Sequence, residues 1–229
     1  MIRVGSLVDS KQPEYENFIS IVVLTKCSKY GCIGPYCLKN EQGQILENVW
    51  QFSKIYEKVP YSRRCKSRYD FTVIWEHPAE THMINGFPTP EYWNWRNKGM
   101  NAQEAIRYPV GFNHRKECLA CLWETEPGKW EYLNYLEARK KIYWPIYRDS
   151  VKKHQEFYKL KQMLQEGKNL LIIEVDGPKN NSDITNCINN DTVLINKDIL
   201  KIVLNDLKYP FGHGYCLAAC LLDIEMNEL

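Results

Sequence analysis

Glu47, Gln51 and Lys54 recur at i, i+4 and i+7 through the stretch LENVWQFSK, a spacing that sets an acid, an amide and an amine in one row along a helix. Groups of these types exchange protons and hold hydroxyls when something keeps water from them. Ile45, Val49, Phe52 and Tyr56 mark the apolar stripe of the same segment. The row is therefore either a solvent-facing edge, helped by its Glu-before-Lys order, or the wall of a cleft. Glu174 closes the apolar run LLIIEVD, where a carboxylate is costly unless it is paired or lies at the strand's end. The ends of parallel strands line ligand crevices, and a core glutamate satisfied by a backbone donor or a lysine is the equal alternative. In NDLKYPFGHGYCLA, Gly212 and Gly214 flank His213 just ahead of a terminal apolar segment, with Asp206 upstream. Amides at a helix start accept a phosphate and His213 is a candidate acid or base; a plain turn before the helix is the other reading.

The totals describe a globular chain with a core: 229 residues, 44% hydrophobic and 25% charged. A net charge of +2 leaves no whole-molecule field that argues for nucleic acid. The local basic runs, Arg63, Arg64, Lys66 and Arg68, then Arg139, Lys140 and Lys141, read as solvated faces. Seven Trp and fifteen Tyr suit either a core or a site for a planar ring. No apolar run reaches the ~20 residues that span a bilayer, and MIRVGSLVDSKQPE has no secretory apolar stretch. The expectation is a cytoplasmic protein in a reducing compartment with no membrane partner. Its nine cysteines are then thiols by default. Cys27, Cys32 and Cys37 recur every five residues and Cys118 and Cys121 form CLAC; neither set supplies the two close pairs of structural zinc, so no metal and no cofactor is assigned.

Around these groups the chain reads as follows. FISIVVLT (18–25) is a buried strand, and NEQGQ is a hairpin or loop before the opening helix. Residues 60–100 are loop-rich, broken by Pro60, Pro78, Pro88 and Pro90, with a strand inside Arg68–Trp75. A helix over 91–107 breaks near Gly99. A long aromatic helix covers Glu131–Tyr147, ended or kinked by Pro145. Asp149–Glu166 is helical, with Gly167 as its left-handed stop. NLLIIEVDGP is a strand buried on both faces. The Asn-rich 179–191 is an insertion or mobile loop, TVLINKDILKIVLND is extended or helical, and an apolar helix closes the chain. The fold class is α+β in a single domain with insertions.

LENVWQFSK resembles the opening helix of the NADAR, or YbiA-like, family, whose motif S-E-H-x-x-Q-A-x-K places its Glu, Gln and Lys on Glu47, Gln51 and Lys54. NAQEAIR (Asn101–Arg107) is similar to that family's E-A-x-R piece, Ile172–Ile173–Glu174 to its L-[VI]-E strand, and Asn205–Asp206 with Phe211–Gly212–His213–Gly214 to its N-D-x-x-W-G-x-G turn. Phe211 stands where the family has Trp, Glu174 and Asp206 lie 32 positions apart where the family has a few, and WEHPAETH has no counterpart.

The resemblance implies a mainly helical YbiA-like domain with a small sheet over 1–229, carrying insertions near 57–98 and 179–203. It implies a hydrolase, an N-glycosidase that breaks a ribose–base bond in a nucleotide or ADP-ribosyl conjugate; a non-catalytic binder of nucleotide, ADP-ribose or a modified nucleic-acid end is the alternative. Glu47, Lys54 and Asp206 are then the catalytic candidates. Glu47 stabilises a cation-like sugar or activates water, Lys54 protonates the leaving base or captures the opened sugar as a Schiff base, and Asp206 holds the ribose or assists the water. Gln51 orients hydroxyls and Trp50 stacks on the base. Glu174, Phe211, Gly212, His213 and Gly214 complete the substrate-binding set, the glycine amides holding a phosphate. The expected partner is a small nucleotide or ADP-ribosylated substrate, free or carried on nucleic acid.

Overall fold

The apolar run that reads as a central strand forms the strand Asn169–Glu174, with Leu170 to Ile173 fully buried. It is flanked on both sides by parallel neighbours, Ile2–Ser6 in the register Ile2↔Leu170 to Ser6↔Glu174 and Phe18–Val22 in the register Phe18↔Asn169 to Val22↔Ile173. A strand paired on two edges and covered on two faces has no polar side to show, which is why its residues do not alternate. These coordinates come from a computed structural model that describes residues 1–7, 11–24, 28–63, 65–66 and 73–229, with backbone alone at 65–66 and 73–74. The chain is α+β, and its contacts gather into two compact units, Met1–Gly34 with Tyr147–Leu229, and Pro35–Ile146, where the sequence reading takes one domain.

In the first unit a five-stranded sheet runs in the order Ile188–Asn189, Thr192–Leu194, Ile2–Ser6, Asn169–Glu174, Phe18–Val22. Phe18–Val22 is thus an edge strand, not the buried one expected from FISIVVLT, and Ile19 is 40% exposed. The strand Ile2–Ser6 carries no place in the sequence reading, although Ile2 and Val4 are core residues. Part of the Asn-rich segment is also ordered into the sheet. Asn190 and Asp191, at φ 50° and 56°, make the tight turn that left-handed residues permit, and Ile188–Asn189 pairs with Thr192–Leu194. The helices Gln155–Gln165 and His213–Leu221 pack on the sheet. Every residue of the second from Gly214 to Leu221 is buried, as an all-apolar helix demands. The helical expectation over Asp149–Glu166 divides into Trp144–Val151 and Gln155–Gln165. Gly167 (φ +79°) ends the latter as expected, its amide donating to Leu164 O and that of Lys168 to Met163 O.

In the second unit the helix Leu46–Phe52 packs on Pro90–Met100. Beside them a three-stranded sheet runs Lys129–Leu133, Ala120–Glu126, Lys54–Ile55. Thr89 caps Pro90–Met100 by accepting the Tyr92 amide, with Pro90 at its first turn. Phe52, Ile55, Tyr56, Val59, Tyr92 and Trp95 lead the core. Glu131–Leu133 belongs to a hairpin strand and not to a helix. Its partner Cys121–Trp123 supplies the backbone hydrogen bonds, and the helical stretch starts only at Asn134, which forms a reciprocal capping box with Glu137. Pro145 lies inside Trp144–Val151, directly after a π turn over Arg139–Tyr143. Short two-residue strands lie among the described residues of 57–88, among them Lys58–Val59 with Glu80–Thr81 and Met83–Ile84 with Phe87–Pro88. Most of the strand expected in Arg68–Trp75 lies outside the described residues, as do Arg64 and Arg68 of the first basic run and Cys27. Among the described residues no helix is long and apolar enough to cross a membrane.

A Cβ built on Gly99 would lie 2.0 Å from Phe52 Cε1, so the two helices approach as closely as they do because this residue has no side chain. Gly99→Ala is expected to destabilise the protein by about 1–3 kcal/mol, the usual cost of overpacking, and Phe52→Leu in the same chain to recover part of it. Urea unfolding of the three proteins checks both.

Candidate active site

The row read in LENVWQFSK is present, but its geometry differs from a continuous helical stripe. The helix ends at Phe52, and Ser53 closes it, its hydroxyl donating to Trp50 O. Lys54 and Ile55 then turn into a strand opposite Cys121 and Ala120. Lys54 is thus a strand residue whose side chain reaches back: Nζ donates to Gln51 Oε1 at 2.9 Å, and Gln51 Nε2 donates to Glu47 Oε1 at 2.9 Å. Amine, amide and carboxylate form one hydrogen-bonded chain, and Gln51 is its central link.

Burial sets the electrostatics. Glu47 is 7% exposed, and loss of water raises its pKa; the Gln51 hydrogen bond and the charges of Lys54, Arg107 and Arg139 oppose the rise. The same desolvation lowers the pKa of Lys54, with Arg139 adding to it and Glu47 opposing. Each partner is therefore drawn toward its neutral form. Cys121, the strand partner of Lys54, has its thiol held below the usual range, chiefly by the Cys118 hydrogen bond and also by the Lys54 charge. The CLAC pair thus sits beside the row as two interacting thiols.

Two residues that the sequence reading passes over hold this region together. Asn48 is fully buried; its amide donates to Ala102 O and Glu104 O, and its Oδ1 accepts the Ile106 amide at 2.8 Å. That side chain fastens 102–106 in a non-helical course, so the helix stops at Met100, at the break expected near Gly99 within 91–107. Arg139, read as part of a solvated basic run, is 7% exposed. Its guanidinium lies 4.4 Å from the Trp50 ring centre and 4.2 Å from that of Tyr143, and Nε donates to Tyr135 Oη. Trp50 is buried, edge-on to Tyr135 and Tyr143, with Lys54 Nζ 5.1 Å from its ring.

A cleft of about 110 Å³ opens beside the row, lined by Gln51, Lys54, Tyr56, Arg107, Tyr108 and Arg115 among others. Its lining offers three cations and two phenols, a set suited to an anion bearing hydroxyls. Glu47 does not line it; the acid stands behind Gln51. Of these residues, Arg107 belongs to the NAQEAIR stretch, whereas Arg115 and Tyr108 carry no local pattern that marks them.

The remaining site candidates lie in the other unit. Glu174 is fully buried at the end of its strand, against the Gly212–His213–Gly214 turn. A Cβ on Gly212 would come within 2.2 Å of Glu174 Oε2, and one on Gly214 within 2.6 Å of Oε1, which is the reason for both glycines. His213 bridges the group, Nδ1 lying 3.4 Å from Glu174 Oε2 and Nε2 2.7 Å from Val23 O. The Gly214 and Tyr215 amides face the carboxylate and favour its charge without reaching a well-formed hydrogen bond. The start of the helix His213–Leu221 therefore holds the protein's own carboxylate in the place where the sequence reading puts a substrate phosphate. Phe211 is buried with its ring tilted on Tyr215. Asp206 is 5% exposed and accepts the amides of Asp183 and Lys208, which orders the chain on either side of it.

Burial raises the pKa of Glu174, with His213 opposing. A carboxyl whose pKa rises on folding stabilises the native state most at low pH, and that contribution is lost as pH climbs through the folded value. Thermal unfolding from about pH 4 to about pH 8 is expected to show this loss in the wild type, at up to about 1.4 kcal/mol per pH unit for this group, and a smaller loss in Glu174→Gln, where the raised Glu47 still contributes.

No protein-family model, curated protein or solved structure matches this chain.

Proposed function

We propose that this chain is an N-glycosidase with a YbiA-like site, hydrolysing a ribose–base bond in a nucleotide or ADP-ribosyl conjugate. The observation that carries the reading is the buried Lys54–Gln51–Glu47 hydrogen-bond chain beside a cationic cleft. The resemblance of LENVWQFSK to the NADAR opening helix supports it. Arg107 and Arg115 bind the substrate's phosphate, and the phenols of Tyr56 and Tyr108 meet its hydroxyls. As the glycosidic bond breaks, positive charge spreads over the sugar ring, and the Glu47 carboxylate stabilises it and takes a proton from the attacking water. Lys54, as its ammonium, gives a proton to the departing base. Gln51 holds the two groups in register. Water adds to the sugar carbon, the base leaves protonated, and exchange with solvent returns Glu47 and Lys54 to their starting forms.

Glu47→Gln and Lys54→Met are each expected to lower kcat by about 10²–10⁴, the range of a positioned acid or base, with unfolding midpoints little changed. The assay incubates the protein with NAD, ADP-ribosylated guanosine and phosphorylated riboflavin precursors, and detects released base by mass. Full turnover in both variants refutes the assignment. Because burial raises Glu47 and lowers Lys54, kcat/KM is expected to rise with pH above the ordinary carboxylate range. It then falls below the ordinary lysine range, a narrower bell than exposed groups would give. Glu47→Gln removes the acid limb.

One observation favours a second reading. Glu47 stands behind Gln51 and outside the cleft lining, as it would in a protein that binds a nucleotide, ADP-ribose or a modified nucleic-acid end without cleaving it. Saturable binding of ADP-ribose by the wild type with no base released from any substrate identifies that case.

A further inference from the structure

The sequence spacing of the cysteines offers no metal site, yet the fold of the first unit assembles one from residues 122 positions apart. Among the described residues, Cys32, His154 and Glu156 bring one donor atom each, a thiol sulfur, an imidazole nitrogen and a carboxylate oxygen, within 4.8 Å of one another. We propose that these three residues bind a zinc-class divalent ion.

The donor set selects the ion. Thiolate and imidazole suit zinc and its neighbours, whereas calcium and magnesium take oxygen donors in larger number. One thiolate and one carboxylate together balance a doubly charged cation. Zinc–ligand bonds of about 2.0–2.3 Å set tetrahedral donors about 3.3–3.8 Å apart, so the three donors draw together as the ion binds.

The backbone beneath each ligand is anchored. Cys32 sits in the 3-10 turn Gly31–Ile33, closed by Gly31 N to Ser28 O and Gly34 N to Gly31 O. Tyr147 Oη donates to Ile33 O at 3.0 Å, tying that turn to the helix that precedes His154. His154 caps the start of Gln155–Gln165; its amide donates to Val151 O and its carbonyl accepts the Phe157 amide. Ile33, Val151, Phe157 and Leu160 are buried, so the chain neighbours of the ligands are fixed in the core. The three ligand residues themselves are half-buried, which gives an ion a way in. On binding, the Cys32 thiol loses its proton to solvent and the sulfur takes up the metal, so uptake releases one proton per ion.

This inference is independent of the glycosidase reading and is tested without an activity assay. The full chain, reduced and stripped with a chelator, is titrated with Co²⁺ and followed by absorption. The expected result is one Co²⁺ per chain with a thiolate-to-metal charge-transfer band that Zn²⁺ abolishes. Cys32→Ser loses the band. His154→Ala and Glu156→Gln bind Co²⁺ more than about 100-fold more weakly, since even outer partners of a metal ligand are worth 10–100-fold. Cys187→Ser, which alters an exposed thiol outside the cluster, leaves the titration unchanged. A wild type without the band, or a band that survives Cys32→Ser, overturns the proposal.

Discussion

A carboxylate taken out of water raises the free energy of its charged form until a donor or a cation answers it, and each unit of this chain is arranged around one such group. In Pro35–Ile146 the group is Glu47, answered by the Gln51 amide and by Lys54 beyond it, with Arg107 and Arg139 in electrostatic reach. In the other unit it is Glu174, answered by His213 and by the amides that open the final helix. The two answers differ in what they leave accessible. Glu174 is sealed by glycines lying on its oxygens. Glu47 is connected, through two side chains, to a cleft lined with cations.

That difference follows from what surrounds each carboxylate. Around Glu174 the packing is sheet and apolar helix, which admit nothing larger than hydrogen at positions 212 and 214. Around Glu47 the neighbours are large amphipathic side chains. The aromatic residues, abundant enough to suggest a platform for a planar ring, are spent on structure: Trp95 is fully buried, Trp50 and Trp144 nearly so, and Trp75, Trp93 and Trp130 lean on the same core. Arg139 lies among Trp50, Tyr135 and Tyr143, where ring faces favour a guanidinium that the apolar surroundings would otherwise expel. A buried cation beside Lys54 helps to draw the amine toward its neutral form.

Much was legible where the deciding partner lies close along the chain. The uninterrupted apolar run at 170–173 and the Gly167 stop of the helix before it both rest on contacts within a turn or on the period of a few residues. The composition of the Glu47–Gln51–Lys54 row was equally plain. Its shape was not: the helix gives way at Ser53 because Lys54 and Ile55 find strand partners at Cys121 and Ala120, some 65 positions away by the reckoning of sequence.

Residue types and their spacing were enough to read an α+β chain with a central apolar strand, a row of acid, amide and amine, and a glycine turn before an apolar terminal helix. Tertiary structure alone decided that Glu131–Leu133 is a strand, that Phe18–Val22 lies at a sheet edge, that Arg139 is buried and that Cys32 meets His154 and Glu156. It also decided that the glycine turn receives Glu174. Local propensity depends on neighbours a few residues away, whereas strand pairing and desolvation depend on groups brought together from distant positions, and those groups carry the chemistry.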